Sequence, residues 1–104
     1  MLQYRLSENA ETDVLGIADY TLDTWGMNQA LKYIDNLYDH FELLGQRPAL
    51  GRRCVSLSPG LSRFEVEKHV VFFLEQVPGI LVVRVMHESI LPLPRYFSDS
   101  SAPS

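Results

Sequence analysis

Arg63, Glu65, His69, Arg84 and His87 are the residues of this chain whose types could perform covalent chemistry together. Cleaving a ribose phosphodiester requires a group to take the 2′-hydroxyl proton, a group to protonate the leaving oxygen, and cations on the phosphate. A carboxylate, two imidazoles and two guanidiniums would supply those parts, but their spacing argues against joint use. Side chains alternate along a strand, so Arg84 and His87, three apart, point to opposite faces in regular geometry and cannot easily serve one phosphate. His87 at a strand end reads as a hydrogen-bonded structural residue. No residue is therefore assigned a catalytic role. If the chain were a ribonuclease, Arg63, Glu65, Arg84 and His87 would be the residues to test.

His69, His87 and Cys54 could suggest a metal, but no paired spacing such as Cys-x-x-Cys or His-x-x-x-His accompanies them, and none is expected. The sequence has no Gly-rich phosphate loop and no helix-turn-helix pattern, so neither a cofactor nor direct reading of DNA is expected. Tyr20 and Trp25 lie on or beside a helical stripe and read as core packing. Arg84, set among Val82, Val83 and Val85, would be costly to bury unpaired. It must meet a carboxylate, a carbonyl, or solvent at a partner surface.

The elements that position these residues are legible from periodicity. Residues 2–6 alternate apolar and polar, as a short strand does. Ser7 then suits a helix N-cap, with Glu8 and Glu11 near the positive end of the helix dipole. Ala10, Val14, Ile17, Thr21 and Trp25 form one apolar stripe, which Gly26 ends. Asn28 can cap a second helix with the stripe Ala30, Ile34, Leu37, Phe41 and Leu44, closed by Gly45 and Pro48. A link of about two residues between the helices forces an antiparallel hairpin, with Asp35 and Asp39 turned to solvent. A loop follows, with a short extended piece around 53–57.

Residues 63–68 alternate again, with Phe64 and Val66 on one side and Arg63, Glu65 and Glu67 on the other. The runs 69–74 and 80–87, joined by 75–79, are almost continuously apolar. Strands of that kind need cover on both faces, whereas the helical hairpin covers one. The expected fold is α+β: a strand, an antiparallel helical hairpin, then a three-stranded antiparallel meander, one small sheet with the helices on one face. Residues 1–88 form the single domain, and 89–104, rich in proline and serine, read as a loosely ordered tail.

Bulk properties agree. A chain of 104 residues supports one core, and 46% hydrophobic with 21% charged residues indicates neither disorder nor a membrane span. The charged N-terminus has no signal-peptide pattern and the single cysteine has no mate, so the cytoplasm is the expected compartment. A net charge of −4 argues against a protein that grips phosphates. Residues 1–46 carry a net −6 and residues 47–104 a net +2, an asymmetry that could orient a partner.

Several segments together resemble a ParE-type toxin of the RelE/ParE superfamily. They are Tyr4-x-Leu6-Ser7 with Ala10 and Asp13; Ile17-x-x-Tyr20-Thr21; Trp25-Gly26 with Gln29-Ala30 and Tyr33; Pro48-x-x-Gly51-Arg52; 69–73; and Ile80-x-Val-Val-Arg-Val-x-His87. No piece is specific by itself; their order and spacing over 4–87 carry the resemblance. It implies a type II toxin–antitoxin module in which a ParD-like antitoxin holds the toxin inactive by wrapping apolar surface. It also implies DNA gyrase as target, with ribosome-dependent messenger cleavage of RelE type as the alternative. Arg63, His69, Phe72, Arg84 and His87 are then the partner-contact candidates. The acidic charge and the lack of a convergent acid–base set favour inhibition by contact.

Overall fold

A computed structural model describes residues 3–97. Strand β1 (Tyr4–Leu6) leads into helix α1 (Glu8–Trp25) and helix α2 (Met27–Gln46). After a 3₁₀ turn come β2 (Arg52–Arg53), β3 (Leu61–Val66), β4 (His69–Glu75) and β5 (Ile80–His87), and a second 3₁₀ turn spans Pro94–Tyr96. The strands form one sheet in the order β1-β5-β4-β3-β2. β3, β4 and β5 make the expected antiparallel meander, β1 joins its edge parallel to β5, and the extended piece near residue 53 adds the two-residue β2.

Local sequence explains each boundary. The Ser7 hydroxyl accepts the Ala10 N–H at 3.0 Å and caps α1. Gly26, at φ 91°, ends α1 and also begins α2, so the link between the helices is one residue rather than two. Asn28 is consequently inside α2 and not its cap. Gly79 turns β4 into β5 at φ 101°, with the Gln3 carbonyl oxygen only 1.8 Å from where a Cβ would stand. Only glycine admits that approach of β1.

Leu37, Phe41 and Leu44 of α2 and Ala10, Val14 and Ile17 of α1 pack on Val71, Phe73, Val82 and Val85, while Asp35 and Asp39 face solvent. The α1 stripe stops being core before its end. Thr21 is buried, but Trp25 and Tyr20 are 69% and 67% exposed, contrary to the core role expected of them.

The sheet's second face also differs from expectation. Leu61, Val70, Phe72, Val83 and Met86 form a second cluster there, roofed by Cys54 and Leu57 of the loop and by Tyr96 and Phe97 of the C-terminal segment. Phe97 is 2% exposed, with its ring centroid 4.8 Å from that of Phe72. Residues 89–97 thus supply much of the cover that the sequence reading sought from a partner; the rest of the expected tail lies outside the described residues.

Candidate functional site: a groove along the open edge of β5

β1 pairs with β5 only at Ile80–Val82, so the remainder of that edge needs other partners. The start of α1 provides them. Ser7 donates its N–H to the Val82 carbonyl at 2.9 Å and its hydroxyl to the Val83 carbonyl at 2.8 Å. The Asp13 carboxylate takes the Val85 N–H at 2.9 Å and grips Arg84 at both Nε (2.8 Å) and Nη2 (3.0 Å). Arg84 also donates to the Tyr96 carbonyl at 3.4 Å and stands 5.9 Å from that ring's centre. This is the carboxylate-and-carbonyl environment the sequence demanded of it, and the Asp13 hydrogen bonds hold its pKa above the ordinary value.

A bulge determines where β5 aims its side chains. Phe73 pairs with Val82 and Phe72 with Arg84, so Val83 is an inserted residue. The alternation restarts there: Val82 and Val85 join the helix-side core, Val83 and Met86 the other face. Arg84 and His87 remain on opposite sides by register, His87 pairing with His69.

Beyond Asp13 and Arg84, a groove of about 1160 Å³ runs between α1, the first turns of α2 and the strand ends. Tyr20, Trp25, Tyr33 and Ile90 give it apolar surface, and His69 and His87 form part of its floor. The imidazoles meet edge to face with centroids 5.3 Å apart. His69 Nδ1 lies 2.5 Å from the Tyr33 hydroxyl, which also accepts the Lys68 N–H at 3.2 Å. His87 Nδ1 meets Ser89 at 2.8 Å (hydroxyl) and 3.1 Å (N–H). Burial, then the neighbouring His87, push the His69 pKa down; burial raises that of Tyr33.

The other sequence candidates lie elsewhere. Arg63 and Glu65 belong to the second face: Arg63 sits 5.6 Å from the Phe72 ring centre and reaches Glu65 at 3.1 Å, while Arg52 reaches Glu65 at 2.8 Å. Burial alone would raise the Glu65 pKa, but the two guanidiniums outweigh it and lower it. Phe72, expected at a partner contact, is buried under Phe97 and offers none. Arg63, Glu65, Arg84 and His87 therefore do not converge on one phosphate: by register Arg63, Glu65 and Arg84 share the face opposite His87, and Arg84 is held by Asp13. Among the described residues no three His, Cys, Asp or Glu side chains gather as a metal site. Burial raises the pKa of the Cys54 thiol, which makes it a poor nucleophile.

The sequence named Asp13 and Tyr33 only among the residues that carry the resemblance, with no role for either, and it missed the groove-lining role of Tyr20 and Trp25. Trp25 continues the core stripe in perfect helical register, and nothing local tells that α1 outruns the surface beneath it. For Tyr33 the available signal was an aromatic adjacent to, but outside, the α2 stripe.

The family model described as the ParE toxin of the type II toxin–antitoxin system parDE matches residues 4–92. The chain belongs to the ParE toxin family. This ParE-family chain is 33% identical over 90 residues to Toxin ParE1 of Caulobacter vibrioides, covering 86% of it and 93% of the relative. It is 32% identical over 87 residues to Toxin ParE1 of Mycobacterium tuberculosis, covering 83% and 89%. With Toxin ParE of Escherichia coli it shares 34% over 89 residues, covering 85% and 86%. A solved structure of the chromosomal ParDE system from P. aeruginosa superposes with a TM-score of 0.70 at 21% identity, over 84% of this chain and 96% of that one. That likeness concerns the fold. Among the described residues of this ParE-family chain, no helix is long and apolar enough to cross a membrane.

Proposed function

We propose that this chain is the toxin of a ParDE-type module, working in the cytoplasm, neutralised by a ParD-like antitoxin whose C-terminal segment lies in the β5-edge groove. Released from it, the chain blocks DNA gyrase by direct binding, without covalent chemistry. The observation that carries this reading is the groove itself. The two buried clusters cover both sheet faces with the chain's own residues, yet exposed Tyr20, Trp25 and Ile90 collect beside one open strand edge. His69, His87 and Arg84 are the sequence candidates that line it, Arg84 already being held by Asp13; Arg63 and Phe72, on the other face, have no part in this contact.

The test starts from co-expression with the adjacent small reading frame. A stable complex, with emission of Trp25, the sole tryptophan, moving to shorter wavelength, is expected. Antitoxin-free protein should then inhibit gyrase supercoiling while leaving ribosome-bound messenger intact in primer extension. His87→Ala should leave that inhibition largely unchanged. Codon-positioned cuts with normal supercoiling would overturn the gyrase reading in favour of a RelE-type ribonuclease.

A further inference from the structure

Five of the six glycines are explained by the chain's own backbone or packing. Gly26, Gly60 and Gly79 stand at positive φ, and a Cβ on Gly45 or Gly51 would run into Gln3 or Phe73. Neither reason holds for Gly16. It lies in the middle of α1, exposed, and a Cβ there would meet no atom within 4 Å. Glycine inside an exposed helix costs stability relative to alanine, and nothing in the free chain offsets that cost. Gly16 also lines the groove. A missing side chain at that point lets something from outside rest on the helix backbone, as Gln3 rests on Gly45 within the chain.

The charges around Gly16 select the occupant. Three acids, Asp13, Glu67 and Glu88, line the groove against two bases, Lys68 and Arg84, a net of −1 with the histidines neutral. Arg84 is committed to Asp13 and Lys68 lies 4.0 Å from Glu88, but Glu67 has only the neutral Asn36 amide, at 2.7 Å. Asp19 and Asp23, exposed on α1 one turn beyond Gly16 and Tyr20, make no ion pair among the described residues. A second copy of the chain would set these acids against their own kind, and residues 98–104 hold one acid and no base, so neither suits the groove. A basic segment does, and exposed Tyr20 and Trp25 add aromatic surface that favours Lys or Arg.

We propose that the antitoxin segment crosses α1 at Gly16, seated directly on the helix backbone, and that the same segment carries a Lys or Arg to Glu67. This rests on the placement of the antitoxin in the groove, and adds where the segment touches and what charge it bears.

Melting of the free full-length chain and calorimetry with the adjacent-frame antitoxin decide it. Gly16→Ala should raise the melting temperature by about 2–8 °C, because its methyl group enters open space. The same variant should weaken antitoxin binding about tenfold, as overpacking does, and Gly16→Leu should weaken it further. A role for the glycine inside the chain would move stability and binding in the same direction. Leu15→Phe, next along α1 but outside the groove lining, should bind as the wild type does. Glu67→Gln, which can keep the Asn36 bond, should weaken binding about threefold and flatten its salt dependence, whereas Glu11→Gln should leave both unchanged. Full-strength binding by Gly16→Leu, or a fall in melting temperature in Gly16→Ala, overturns the seat. An unchanged affinity and salt slope in Glu67→Gln overturns the basic contact. A free chain that sediments as a dimer, and as a monomer once Gly16→Leu is introduced, would put a second copy in the groove and overturn the occupant. If the wild type binds no antitoxin, the functional reading itself fails and the seat falls with it.

Discussion

Asp13 is the residue on which most depends at the smallest scale. One carboxylate serves a guanidinium and the Val85 N–H at a strand edge that β1 is too short to cover. Asp13→Ala would leave a mostly buried cation and a backbone donor unsatisfied. The expected loss is about 2–4 kcal/mol, between the worth of a charged hydrogen bond and the cost of orphaning a fully buried charge. Urea unfolding measures it, and a loss under about 0.5 kcal/mol would show that water substitutes for the carboxylate. His69 carries the residue-scale pH prediction. Its folded pKa is depressed, chiefly by burial, so the unfolded chain binds the proton more readily. A destabilising contribution is then absent above the ordinary imidazole pKa of about 6.5 and grows as pH falls toward the depressed folded value. Stability of the wild type should rise with pH across that window, and His69→Gln should flatten the rise; an unchanged slope would assign it to other groups.

At the scale of elements, the short C-terminal 3₁₀ turn behaves as part of the core. Phe97 closes the second cluster against Phe72, and Arg84 ties Tyr96 back to β5. Phe97→Ala should therefore cost about 3–5 kcal/mol, the range for large aromatic truncations in cores. Phe41, the fully buried ring of α2, should cost a similar amount when truncated. Equilibrium unfolding of the two variants side by side is the check. If Phe97→Ala loses less than about 1 kcal/mol while Phe41→Ala loses the full amount, the second face is held by the 54–57 loop and not by the C-terminal segment.

For the whole molecule, the relevant quantity is stability linked to occupancy of the groove. A partner that binds only the folded chain adds RT ln(1 + [L]/Kd), about 4 kcal/mol at a thousandfold excess over Kd. The melting temperature should therefore rise with antitoxin concentration, and the Trp25 emission shift should saturate over the same range. A melting temperature that does not move while Trp25 responds would mean that the partner binds the unfolded chain as well. The charge asymmetry, net −6 over residues 1–46 and +2 over 47–104, belongs to this scale too, since it acts on approach of a partner and not on the fold.

Sequence by itself determined what depends on neighbours along the chain. Ser7 and Gly26 bound α1 because capping is a matter of three or four residues, and the 3.6-residue period of Leu37, Phe41 and Leu44 identified the buried face of α2. Family membership was legible for the same reason, as ordered local segments over 4–87. Tertiary structure alone decided the rest. The Val83 bulge reset the side-chain alternation of β5, and no residue type there announces it. Trp25 and Phe97 exchanged their expected roles because burial depends on what lies opposite: α1 extends past its packing surface, and the C-terminal turn folds back onto an open sheet face. The groove follows from both, since it exists only where a short β1, an overhanging α1 and the paired histidines of β4 and β5 come together.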